Sequence, residues 1–240
     1  AMQASLNRRF SGGVHINANY TWSKNMGIAG LGGSDDQPEI RAVQFYNLNR
    51  SLADIHVPHR FNLSTIFELP FGQGKPWLSD GAAAAIFGGW QLNTVLYAHS
   101  GSPFDIEASG DSLDLPGSQQ RADQVKPFKV LGGIGRDNPW FDPTSFVEVT
   151  EPRFGNVGFN TFLGPSQFNM DVGIFRKFQI SENVDLQFRA EAFNFTNTPH
   201  FRNPRSNVSS SRFGVVDRIR NVGREGIDQR IFRFGLRLGF

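Results

Sequence analysis

The chain has 240 residues, a formal net charge of +2, 24 Phe, 26 Gly, no Cys and only 19% charged residues. Aromatics at 13% exclude a disordered chain, and the lack of Cys excludes a disulfide framework, a thiolate metal site and a Cys nucleophile. A charge this close to neutral, with basic residues spread along the chain, argues against nucleic acid as a partner.

Residues 1–9 carry two Arg without an apolar stretch after them, so no signal peptide is expected there. Residues 3–10 read as a weakly patterned strand turning at Ser11-Gly12-Gly13. From Val14 the pattern is clear: Val14, Ile16, Ala18, Tyr20 and Trp22 alternate with His15, Asn17, Asn19, Thr21 and Ser23. A strand turns successive side chains to opposite sides, so one face is apolar and the other polar. The period returns at Phe61, Leu63, Thr65, Phe67 and Leu69 against Arg60, Asn62, Ser64 and Glu68, with Ile66 interrupting the polar series. Trp90, Leu92, Thr94, Leu96 and Ala98 form a fourth strand with Gln91 and Asn93 opposite. Phe168, Met170, Val172 and Ile174 alternate with Asn169, Asp171 and Gly173, then Phe175. Val184, Leu186, Phe188, Ala190 and Ala192 alternate with Asp185, Gln187, Arg189 and Glu191. The chain closes with Phe232, Phe234, Leu236, Leu238 and Phe240 against Arg233, Gly235, Arg237 and Gly239. That is seven strands and no apolar run of 18 residues, which excludes a membrane-spanning helix.

Connections are short at 11–13 and 180–183, intermediate at 70–88 with a short helix over 80–87, and long at 24–58, 100–166 and 196–227. Long loops without secondary structure count against a compact soluble domain, whereas short turns at one end and long loops at the other are the habit of an outer-membrane barrel. The strands match the about nine to eleven tilted residues that cross a hydrocarbon layer. Tyr20, Trp22, Phe61, Trp90, Phe178 and Phe240 stand at strand ends, where interfacial girdles would lie. A soluble β-sandwich also alternates and stays open as a reading.

Catalytic and metal constellations fail on spacing. His56 and His59 flank Pro58 without a third ligand nearby, and Asp111-Ser112-Leu113-Asp114 lacks a complete calcium-loop pattern. The glycines of 27–33 and of 72–76 do not open a helix after a strand, so neither is a phosphate cradle. No nucleophile elbow occurs. No enzyme activity, metal or cofactor is expected, and chemistry is left to the polar face: His15, Asn17, Asn19, Arg60, Asn62, Gln187, Arg189, Glu191, Arg233 and Arg237 are the lumen-facing candidates.

Tyr20-Thr21-Trp22-Ser23-Lys24, His59 to Ser64, Glu68 to Lys75, Gly88 to Asn93, Ser100 to Phe104, Phe162 to Pro165, and Gln187 to Asn197 with Pro199-His200-Phe201 occur in this order. As a set they resemble the C-terminal part of the TonB-dependent receptors, in particular the Oar-like group. The final strand resembles the signal read by the barrel assembly machinery, carried here by Phe232, Phe234, Leu236, Leu238 and Phe240. The resemblance implies an all-β, antiparallel transmembrane barrel of about 22 strands in the outer membrane, filled by an N-terminal plug. It implies outer-membrane lipid and the TonB complex as partners, and active uptake of a small-molecule, glycan or peptide ligand. Residues 1–240 would be the last third of that barrel, without plug or signal peptide. Seven strands ending on the last strand begin with a descending one, which puts the 11–13 turn on the periplasmic side. The alternatives are a passive outer-membrane pore and a soluble β-rich binding or adhesion module.

The register of the last hairpin follows from parity. Lumen residues must face lumen residues, so Arg189 and Glu191 meet the odd positions of the final strand. A constant sum of 424 sets Glu191 opposite Arg233 and Gln187 opposite Arg237.

Overall fold

The computed structural model describes residues 1–28, 40, 42–109, 113, 119–220 and 229–240. Its frame is a seven-stranded antiparallel sheet whose strands lie in chain order. These are β1 (Met2–Ser11), β2 (Val14–Trp22), β3 (His59–Glu68), β4 (Trp90–His99), β5 (Gln167–Ser181), β6 (Val184–Phe193) and β7 (Ile231–Gly239). A meander of this kind is built from neighbours in sequence, so alternation alone is enough to specify it. The first hairpin closes on Gly12 and Gly13, both at positive φ (60° and 79°) as a two-residue primed turn requires. Short connections gather at one end of the sheet: 12–13, 69–89 with its short helix α1 (Gly81–Phe87), and 182–183. The long connections gather at the other.

Cross-strand pairing puts the whole odd set of β2, β4, β5, β6 and β7 on one face with the even set of β3. That face carries the polar series. The other face carries Leu6, Ile16, Phe61, Leu92, Ile174, Phe188, Phe234 and Leu236, many of them exposed; Phe234 is 75% and Leu236 is 71% accessible. A water-soluble sheet would cover such a face.

β5 runs 15 residues to the short turn, and Arg176 interrupts its apolar series without ending the ladder with β6. One expectation is corrected: the long loops are not structureless. The buried hydrophobic cluster of the described residues lies in them: Phe104, Ile106, Trp140, Phe141, Phe146, Phe162 and Val216, with Phe128 and Phe213 packed against it. The rings of Phe128 and Phe162 are 4.3 Å apart, and Phe141 meets Phe213 edge-on at 5.2 Å. The entrance to this loop domain explains two of the sequence motifs: Pro103 and Phe104 pair with Leu163 and Phe162, and Gly164 N donates to Ser102 O at 2.9 Å. Gly101 crosses so close to the Gly164 carbonyl that any side chain would overlap it. The core therefore sits in the loop domain, where water surrounds the chain, and the sheet keeps its apolar residues for another medium.

Candidate functional site

The ten polar-face candidates fall on one side of the sheet and form rows across it. Asn19 opposes Asn62, and Asn62 opposes Tyr97; Arg60 opposes His99. Gln187 opposes Lys177 on one flank and Arg237 on the other, and Glu191 opposes Gly173 and Arg233. The sum of 424 holds along the entire last pair. His15 opposes Ile66, the residue that broke the polar series, so this face is not uniformly polar. Side-chain amides link along strands: Asn19 Nδ2 donates to Asn17 Oδ1 at 2.6 Å, and Arg189 donates to Gln187 Oε1 at 2.8 Å. Two arginines lean on rings of the same face, Arg189 5.6 Å from the Phe175 centroid and Arg233 5.0 Å from that of Phe193.

At the long-loop end the polar face meets the loop domain through a turn. Asn194 has φ of 47° and is 1% exposed. Its Oδ1 accepts from Thr198 N at 3.0 Å, its Nδ2 donates to Thr198 O at 3.1 Å, and its own N donates to Asp171 Oδ1 at 2.8 Å. Asn tolerates this left-handed conformation and bonds its neighbours locally. The turn brings His200 onto Tyr97, rings stacked at 6.1 Å, with Nε2 against Phe168 O at 2.9 Å. The Asn-Phe-Thr-Asn and Pro-His-Phe motifs thus do positional work.

Beside that turn opens a cavity of about 590 Å³. Gln167, at the start of β5 on the polar face, forms part of its wall. The rest comes from three loops: Asp54, Asp105 and Glu107 supply carboxylates, and Arg202, Arg218 and Arg220 supply guanidinium groups. The arginines share a short ribbon, since Phe201 bridges Ile219 and Arg202 N donates to Arg218 O at 2.9 Å. Asp54 is oriented by Asn160, whose Nδ2 donates to that carboxylate and to Leu52 O at 3.1 Å. Such a wall holds a polar ligand by hydrogen bonds from both signs of charge, not an apolar one.

The loop domain is tied by ion pairs. Arg153 reaches Asp123 at 2.6 Å and holds its carboxyl below the ordinary range; in turn Asp123 and Glu151 hold the guanidinium proton more firmly than usual. Asp217 is lowered chiefly by its hydrogen bond from Arg205; burial opposes this, and the hydrogen bond from Arg212 lowers it further. Burial, then the charge of Lys24, lowers His56, which accepts from Asn25 N at 3.1 Å. His56 is thus a support for the 24–58 connection, while His59 stacks on Tyr20 on the apolar side. Asp111, Ser112, Asp114 and residues 29–33 lie outside the described residues. The described residues contain no group of three potential metal ligands.

Sequence reasoning reached the polar face but missed the cavity. Its residues come from loops about fifty to a hundred positions apart. The signal that was available is the density of arginine between Arg202 and Arg220.

A search of curated proteins and a search of solved structures return no similar protein. A family model described as an outer membrane beta barrel domain matches residues 1–231. With the antiparallel meander and its exposed apolar face already in place, this chain belongs to the outer-membrane β-barrel domain family and is a protein of the bacterial outer membrane.

Proposed function

We propose that residues 1–240 are the C-terminal part of a TonB-dependent receptor barrel that takes up a scarce polar solute. The polar face lines the lumen, the apolar face meets lipid, and the loop cavity captures ligand at the outer mouth. The supporting observation is the cavity itself: a folded loop domain places three carboxylates and three guanidinium groups at the end of the polar face. A passive pore does not require so constructed a mouth. The role proposed is transport rather than catalysis, since a wall carrying carboxylates and guanidinium groups together suits the capture of a polar solute. The barrel assembly machinery and the TonB complex are the protein partners of this reading.

The full-length protein tests it in planar bilayers bathed in potassium chloride, alongside capture by the periplasmic domain of TonB. The reading expects TonB capture and a barrel closed to ions. A steady ion conductance without TonB capture would overturn it in favour of a passive pore.

A further inference from the structure

Arg176 stands on the apolar face. It opposes Trp90 on β4 and Phe188 on β6, and its strand neighbours on that side are Ile174 and Phe178. A guanidinium group facing the middle of a bilayer costs roughly 2–4 kcal/mol, falling to about 0–1 near an interface. Its level decides which applies: Trp90 is the first residue of β4, so Arg176 lies level with the short-turn end of that strand, in the last third of β5 on its way to the 182–183 turn. There its Nη1 donates to Ile86 O at 2.6 Å and its Nη2 donates to Ala85 O. The charge also lies 4.4 Å from the Phe178 ring centroid and 5.5 Å from that of Trp90. Trp90 Nε1 donates to the same Ile86 carbonyl at 3.0 Å.

These bonds seat the C-terminal end of α1 against the outside of the sheet, where the carbonyl end of the helix suits a cation. The chain before the helix folds onto its end. Gly72, at φ of 105°, passes so close to Gly88 that a side chain at either would strike the other's backbone. What this unit leaves uncovered is apolar: Trp77 61%, Ile86 59%, Phe87 55% and Leu78 46% exposed. Arg176 borders it on the apolar face, and Asp80 stands at the start of the helix.

We propose that residues 76–89 form an interfacial foot on the outside of the barrel, in the phospholipid leaflet on the periplasmic side. Trp77, Leu78, Ile86 and Phe87 enter the acyl-chain border, and Arg176 sits at the depth of the headgroup phosphates. The occupant is lipid for two reasons. The patch continues the apolar face of the sheet, and the cation seated against it on that face, Arg176, complements phosphate. The inference rests on the apolar face meeting the membrane and is independent of transport and of TonB.

The test uses the full-length protein, with Phe87→Cys carrying an environment-sensitive fluorophore, in phosphatidylethanolamine–phosphatidylglycerol vesicles. Heat-modifiable migration confirms that the labelled barrel is folded. Lipid carrying a shallow nitroxide should remove most of the emission at position 87, and aqueous iodide little. A label at Lys126→Cys in the loop domain should show the reverse. Quenching of position 87 by iodide, or by neither agent as under a covering protein, would overturn the proposal. If Phe87→Cys does not assemble, Trp77→Cys gives the same readout. In the Arg176→Ala barrel the label at 87 should become accessible to iodide; an unchanged label would remove Arg176 as the seat.

Discussion

Asn194 illustrates how one side chain sets the relation between sheet and loop domain. It holds a left-handed backbone, closes the turn with both ends of its amide and, through its N–H, engages Asp171. Asn194→Ala keeps none of the amide bonds and should weaken the folded barrel by about 1–3 kcal/mol, as expected for buried partners left unsatisfied. The check is the temperature at which heat-modifiable migration is lost; an unshifted transition would contradict this role. The lowered carboxylates make a pH statement. Asp123 and Asp217 bind fewer protons folded than unfolded. Their contribution is therefore present above the ordinary carboxylate range and disappears as pH falls through their lowered values. His56, lowered by burial, works in the same direction from the ordinary imidazole range downward. Acidification should open the 119–157 and 205–217 segments to proteolysis while the strands remain protected. Greater protection of these segments in acid would refute the sign.

At the scale of elements, parity is the governing quantity. A slip of one residue between β6 and β7 would send Arg233 and Arg237 to the apolar side, at roughly 2–4 kcal/mol each near a bilayer midplane. An exposed opposite-charge pair such as Glu191 and Arg233 contributes only about 0.2–1 kcal/mol, so charge refines a register that apolar burial has already chosen. Opposed Cα atoms on antiparallel strands lie about 4.5–5.5 Å apart, within disulfide reach. Glu191→Cys with Arg233→Cys should cross-link under mild oxidation, and Glu191→Cys with Phe232→Cys should not. Equal yields would dismiss the pairing. The loop domain obeys different physics. Phe141 is fully buried among four rings, and Phe141→Ala should destabilise that domain by about 3–5 kcal/mol, read as faster hydrogen exchange in residues 104–163 with β1 to β4 unchanged.

Across the whole molecule, water-facing and lipid-facing surfaces separate by height. The buried core lies beyond the long-loop ends of the strands, and the exposed Leu, Ile and Phe residues follow the strands themselves. These 240 residues expressed by themselves carry two unpaired sheet edges, β1 and β7, and should aggregate in plain buffer. A monodisperse, cooperatively unfolding monomer would count against lipid as the partner of that face. In the full-length protein, Phe240→Asp should reduce insertion more than Lys126→Asp, since Phe240 is fully accessible at the end of the apolar series and Lys126 lies in the loop domain. Equal insertion would dismiss the terminal aromatic as a signal.

Strand number, strand order, the separation of faces and the register of the last hairpin are all local or nearest-neighbour properties. A period of two, a Gly-Gly turn and the parity of Arg233 and Arg237 are written in consecutive residues, and the sequence by itself determined them. Arg176 already required tertiary structure, because its tolerance on the apolar side depends on carbonyls 90 residues away. The cavity required it more. Its six charged groups are gathered from segments at 54, 105–107 and 202–220 only because aromatic residues scattered through the loops collapse into one core. Those loops have no period to read, and hydrophobic burial between distant segments has no signature in sequence spacing.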